Sequence, residues 1–211
     1  MESRRVNDLD KAGIESANNS KDASIIRTLT ANDIAFWGAD AFISVALALF
    51  VVSTIEGATV LNVGIALMIH RVTGSLLAVP IGRFFDKHKG YLDEVWGLWL
   101  ACFLAGLIYM ALSFSTAIWQ LYLAMFLLGG TSILNLTSWR ILFYNSIDKE
   151  RFGQTTGVYQ MLFSFGIGLA LVVGGFAGDR FGYQSVLLIG GMVMAAGSFL
   201  PLMLRGYIEE K

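Results

Sequence analysis

Gly82-Arg83-Phe84-Phe85-Asp86-Lys87-His88-Lys89-Gly90 is a short polar turn between two long apolar runs. It holds an acid, a histidine and three basic side chains between two glycines. A near echo follows 93 positions later, Gly175-Phe176-Ala177-Gly178-Asp179-Arg180-Phe181-Gly182. Each has a glycine, three residues, Asp, then Lys or Arg. The material that these turns connect sets the class of protein. Of 211 residues, 55% are hydrophobic and 15% are charged, and mean hydropathy is +0.63. Soluble domains carry about 25% charged residues. This chain has too few to coat a water-facing surface, and reads as an integral membrane protein.

Six apolar runs, at about 34–55, 58–81, 95–112, 118–139, 156–177 and 185–204, are each close to the ~20 residues that cross a bilayer as a helix. Lipid leaves no partner for open backbone groups, so runs of this length must be helices. The expected fold is all-α and integral to the membrane, with six transmembrane helices. Residues 1–32 are polar and lack the apolar core of a signal peptide. They read as a mostly disordered tail, with a short interfacial helix over 24–29. The domain proper is then 33–211.

Short connections at 53–57, 113–117 and 178–184 lie on one side, and 82–94 and 145–155 on the other. Lys and Arg mark the cytoplasmic side. The second side, with both termini, holds Arg4, Arg5, Lys11, Lys21, Arg27 and Arg83, and also Lys87, Lys89, Lys149, Arg151, Arg205 and Lys211. The first holds Arg180 alone. Both termini are therefore expected in the cytoplasm, in a multi-pass protein of a bacterial inner (plasma) membrane. The Asp86 turn and its Asp179 echo then face opposite ways. Residues 33–113 and 114–211 become two inverted three-helix repeats, a common plan in transporters.

Ionisable groups inside the bilayer are expensive and point to function. Asp40 lies sixteen residues before Glu56 and Arg71 fifteen after it, so the two share a depth ~20 Å from the outer surface. They are expected to pair, or to face one polar cavity. His70 points about 100° away from Arg71 and has the chemistry of a proton relay. His88 is expected to be solvated. Helix 4 carries Thr131, Ser132, Asn135 and Ser138 leading to Arg140 at the interface, with Gln120 at its other end. Tyr159 and Gln160 of helix 5 are placed to face the same space. Small residues at i, i+4 spacing, Gly166-Ala170-Gly174-Gly178 and Gly74-Ala78-Gly82, let helices approach closely, and Pro80 bends helix 2. Cys102 is the one cysteine, so the chain can form neither an internal disulfide nor a cysteine metal site. No nucleophile, phosphate-loop or metal pattern is present. An enzyme, a cofactor, a metal site and a nucleic-acid partner are not expected.

The Gly82 turn, lying between helices 2 and 3, resembles the signature loop of the major facilitator superfamily: Gly, three residues, Asp, Lys or Arg, one residue, Gly, then basic residues. Gly82, Asp86 and Lys87 match. The second glycine falls one position late, at Gly90, and Lys89 stands in its place. The Gly175 echo, with Asp179, Arg180 and Gly182, fits without a shift. The stretch 165–183 also looks like that family's helix 5 and its exit loop. The likeness spans residues 31–211 and is closest to the first half of a twelve-helix member. Two departures count against proton antiport: apolar residues, not Arg, precede Gly129-Gly130, and Ala170-Leu171 stand where antiporters carry Gly-Pro.

The resemblance implies a secondary, alternating-access transporter of a small solute, with six helices as one half. A homodimer, or a second six-helix half, would complete it. The alternatives are a non-transporting subunit or scaffold, or half of a split or truncated transporter. Asp40, Arg71, Asn135 and Gln160 are the candidate cavity residues. Gly82, Asp86, Lys87, Arg140, Asp179 and Arg180 are the candidate gating residues. The resemblance implies that Asp86 latches the cytoplasmic side by accepting hydrogen bonds from a helix N-terminus or from an Arg, for which Arg140 is the candidate.

Overall fold

The computed structural model describes the backbone of residues 2–87 and 90–208 and the side chains of 22–87 and 90–206. His88, Lys89 and Lys211 lie outside the described residues. Six long helices follow one another: α1 (Glu2–Thr54), α2 (Val60–Asp86), α3 (Leu92–Leu112), α4 (Ile118–Ser146), α5 (Phe152–Phe181) and α6 (Tyr183–Gly197). A 3-10 turn at Pro201–Leu204 extends α6. All six are long and apolar enough to cross a membrane. No strand occurs among the described residues.

The N-terminal region departs from the expected loose tail. Helix α1 runs unbroken from Glu2, because residues 2–33 contain no proline and only one glycine, Gly13. The stretch of α1 just before the apolar run is also part of the bundle. Ile25 and Leu29 are buried in a cluster with Val95, Leu98, Trp139, Leu142, Phe143, Ile147 and Leu204. The Trp139 indole donates to the Leu29 carbonyl at 3.1 Å.

Gly90 and Gly182 both have positive φ, 111° and 83°, in conformations that side chains with a Cβ avoid. Gly182 is the only residue between α5 and α6, and its N–H closes onto the Gly178 carbonyl at 3.0 Å. The first glycine of each stretch is different. Gly82 has nothing within 4 Å of where a Cβ would stand, and Gly175 meets only Val45, at 3.8 Å.

The principal packings are α2 on α4, α1 on α5, α3 on α4, α1 on α6, and α3 on α6. Exchanging α1 with α4, α2 with α5 and α3 with α6 maps this set onto itself. Three crossings depend on glycine. A methyl group at Gly129 (α4) would lie 2.5 Å from the His70 carbonyl oxygen of α2. One at Gly174 (α5) would collide with the Phe42 backbone of α1. One at Gly191 (α6) would lie 2.7 Å from the Gly106 carbonyl oxygen of α3. The expected stripes are thus partly at work: Gly174 and Gly74 lie at crossings, whereas Gly82 faces open space.

Burial is uneven. Half of the most apolar stretch of α1, and of α3, is buried, but only 11% of that of α2 and 17% of that of α5. Helix α2 packs mainly on α4, and α5 mainly on α1 with a smaller contact to α6, so each leaves a long face open.

The crossings make a direct prediction. Gly129→Val forces backbones apart and should cost at least ~1–3 kcal/mol. Gly168→Ala, where nothing lies within 4 Å, should be neutral. Thermal unfolding in detergent distinguishes them; equal midpoints would contradict the crossing.

Candidate functional site

Polar side chains gather around α1, contributed by α2, α3, α4 and α5, at two levels. At the deeper level the Tyr109 hydroxyl of α3 donates to Asp40 Oδ1 at 2.5 Å. His70 and Arg71 of α2 are close enough to Asp40 to act on it electrostatically. The shared depth expected from the hairpin therefore brings these groups together, but Asp40 and Arg71 form no direct ion pair. Asp40 turns into the bundle toward Tyr109, while Arg71 is exposed. His70 Nε2 lies 3.1 Å from Ser132 Oγ of α4. His70, Arg71, Ser132 and Trp37 line a pocket of about 270 Å³.

The second level is nearer the end that carries the α2–α3 turn. The Tyr159 hydroxyl of α5 donates to Asp33 Oδ2 at 2.5 Å, joining α5 to α1. Asp33 is 3% exposed and Asn32 fully buried. Tyr159 stacks within an aromatic cluster, 4.8 Å from Trp139 and 4.9 Å from Phe143. Beside it runs a seam across three helices. The Cys102 thiol of α3 donates to Asn32 Oδ1 of α1, and Asn135 Nδ2 of α4 donates to Cys102 Sγ, each at 3.5 Å. Ser138 is fully buried, and a methyl at Gly97 would strike its hydroxyl. This cysteine faces the core, not lipid.

The other residues singled out in the sequence fall in several places. Asn135 belongs to the buried seam. Gln160 is exposed on α5 and donates to Ser164 Oγ at 3.0 Å. Gln120 caps α4: its Oε1 accepts from the backbone N–H of Thr116 and of Ala117 at 2.8 and 3.1 Å. Arg140 is exposed and acts electrostatically on Tyr159. Asp86 and Lys87 are exposed at the end of α2, and no ion pair joins Asp86 to Arg140. Asp179 and Arg180 are exposed at the opposite end of the bundle.

Sequence reasoning missed Asn32, Asp33 and Tyr109. Both fell just before the apolar run, Asn32 at the end of the segment read as tail and Asp33 at the first position of the domain. The absence of any helix breaker before them was the available signal. Tyr109 gave none beyond a hydroxyl that must find a partner inside an apolar helix.

Six helices long and apolar enough to span a membrane, packed around an internal polar cluster, fit a polytopic membrane protein. The sequence model of the Major Facilitator Superfamily matches residues 32–211, and the chain belongs to that family. Its members are membrane transporters, and this chain is an integral, multi-pass protein of that kind. No curated protein and no solved structure matches the chain.

Tyr109→Phe leaves a buried carboxylate short of a donor and should cost ~1–3 kcal/mol. Tyr122→Phe, which removes an oxygen bonded to Asn62 at 2.9 Å in a less buried place, should cost less. Adding Asp40→Asn to Tyr109→Phe should recover part of the loss, because a neutral amide is cheaper to bury. Unfolding midpoints of the three variants measure this, and no recovery would contradict the pairing.

Proposed function

We propose that the chain is a secondary transporter working by alternating access, whose solute path lies along the open face of α2 and α5. The observation that carries this reading is Arg71. It stands near the middle of α2 (Val60–Asp86), is exposed, and makes no ion pair among the described residues. At ~20 Å from the outer surface it lies in the cytoplasmic half of a hydrocarbon core about 30 Å thick, about 10 Å from the cytoplasmic side. A charged side chain at the centre of that core costs at least ~2.5–3.5 kcal/mol against lipid. A face that looks onto water or protein avoids that cost, and we read the face that holds Arg71 in this way. Gln160 and Ser164, exposed on α5 and bonded to each other, give the second open helix the same character.

A water-filled path along an open face needs a second wall. A second six-helix unit, in the simplest case a second copy of this chain, would supply it across α2 and α5. A two-fold axis along the membrane normal relates the halves of full-length transporters of this kind and would also relate two copies. The exchange symmetry of the helix packings supports an inverted repeat of three helices within the unit. The crowding of basic residues at the end with the α2–α3 turn supports placing that end in the cytoplasm of an inner membrane.

Within this reading Asp40, His70 and Arg71 form the central site, with Asn135 beneath it, and Asp86 acts as the latch at the cytoplasmic end. A thermal-shift screen against solute libraries would find the ligand, because binding to the folded state raises stability. Uptake of that solute into proteoliposomes then tests the site. Arg71→Ala should reduce uptake at least tenfold, and unchanged uptake would remove Arg71 from the path. Asp86→Asn should slow uptake more than Asp179→Asn, and the reverse order would contradict the latch or the orientation.

A further inference from the structure

A cavity of about 530 Å³ forms a groove between α1 and α5 beside Tyr159. Small-molecule sites run from about 300 to 1,000 Å³. Its body is apolar, formed by Ile34 of α1 and Val158 and Leu162 of α5. Its charged groups are Arg27 of α1 and Arg151 at the start of α5. Both are exposed, and neither makes an ion pair among the described residues. Arg27 has no carboxylate within one helical turn on either side, its neighbours there being Ala23, Ser24, Thr30 and Ala31.

Two acids of α1 are turned away from this space, while Asp148 and Glu150 are exposed beside Arg151 but do not line the groove. Asp33 is buried behind Tyr159, whose hydroxyl bonds to it, and Asp40 is turned toward Tyr109. On the open side of the path, Arg71, Arg27 and Arg151 face out with no carboxylate paired to them. A guanidinium holds a carboxylate or phosphate through two parallel hydrogen bonds.

We infer that the transported solute is an organic anion with an aliphatic body, and that Arg27 and Arg151 take its charged group at the mouth of the α1–α5 groove. This rests on the transporter reading for its function but not for the binding. The hydrocarbon part lies along Ile34, Val158 and Leu162, and Arg71 marks the next cationic station toward the far side.

Octanoate is a suitable probe, with octylammonium and octanol as controls of the same length. In nanodiscs of zwitterionic lipid, octanoate should raise the unfolding temperature of the protein saturably, and the controls should not. Arg27→Gln with Arg151→Gln should weaken the apparent octanoate affinity about tenfold or more, the loss expected for a charge-assisted contact. Arg27→Lys with Arg151→Lys should keep most of it. The unliganded midpoint of each variant shows that it is folded. Equal stabilisation by octanol, or an unchanged octanoate affinity in the Gln double variant, would overturn the proposal. So would stabilisation of the wild type, but not of the Gln double variant, by phosphatidylglycerol with no further effect of octanoate; the groove would then hold a lipid headgroup. Saturable octanoate binding without octanoate flux in proteoliposomes would keep the anion site and reject transport.

Discussion

Everything in this bundle depends on backbones approaching one another at glycine. The hydrophobic effect drives apolar helices into a bilayer but gives little reason for them to associate there, since lipid tails are as apolar as leucine. Association comes from close van der Waals contact and interhelical hydrogen bonds. Gly129 lets α4 reach the backbone of α2, Gly174 lets α5 reach that of α1, and Gly106 with Gly191 joins α3 to α6. These three contacts lock each helix to a partner from the other half of the chain. They leave α2 and α5 with one packed side and one open side.

Close contact also fixes where polar groups can go. At the α2–α4 crossing, His70 comes within reach of Ser132, and the pocket beside it opens next to Arg71. The buried Asp33 and the half-buried Asp40 of α1 each accept a tyrosine hydroxyl from another helix, Asp40 from α3 and Asp33 from α5. A carboxylate held in this way is tied into the scaffold. The arginines, without such ties, remain on the open face. Asp33 and Asp40 are thus tied inward, whereas Arg27, Arg71 and Arg151 are exposed.

Much of this was legible in the sequence. Six apolar runs gave six helices, and the count from Glu56 placed Asp40 and Arg71 at one depth, because helical rise is constant. The signature turn pointed to the family on three matched residues, and the positive φ of Gly90 and Gly182 explains why glycine stands there. What stayed hidden was whatever depends on helix rotation. Nothing in a one-dimensional pattern says that Asp40 turns toward Tyr109 rather than Arg71, or that Gln120 caps α4 instead of extending a polar strip. The start of α1 was hidden for another reason: polar residues 22–33 enter the bundle because Ile25, Leu29 and Asp33 lie on one face of an unbroken helix, and composition averaged over the segment conceals that face.

The open face of α2 and α5 is the centre of the account, and the number of chains that share one membrane disc measures most directly whether it is covered. Native mass spectrometry of the protein released from nanodiscs should give a species of two chains, and a charged residue at Leu169, exposed on α5, should shift it toward one. A strictly monomeric wild-type species that still takes up solute would contradict the claim that a second six-helix unit closes the path.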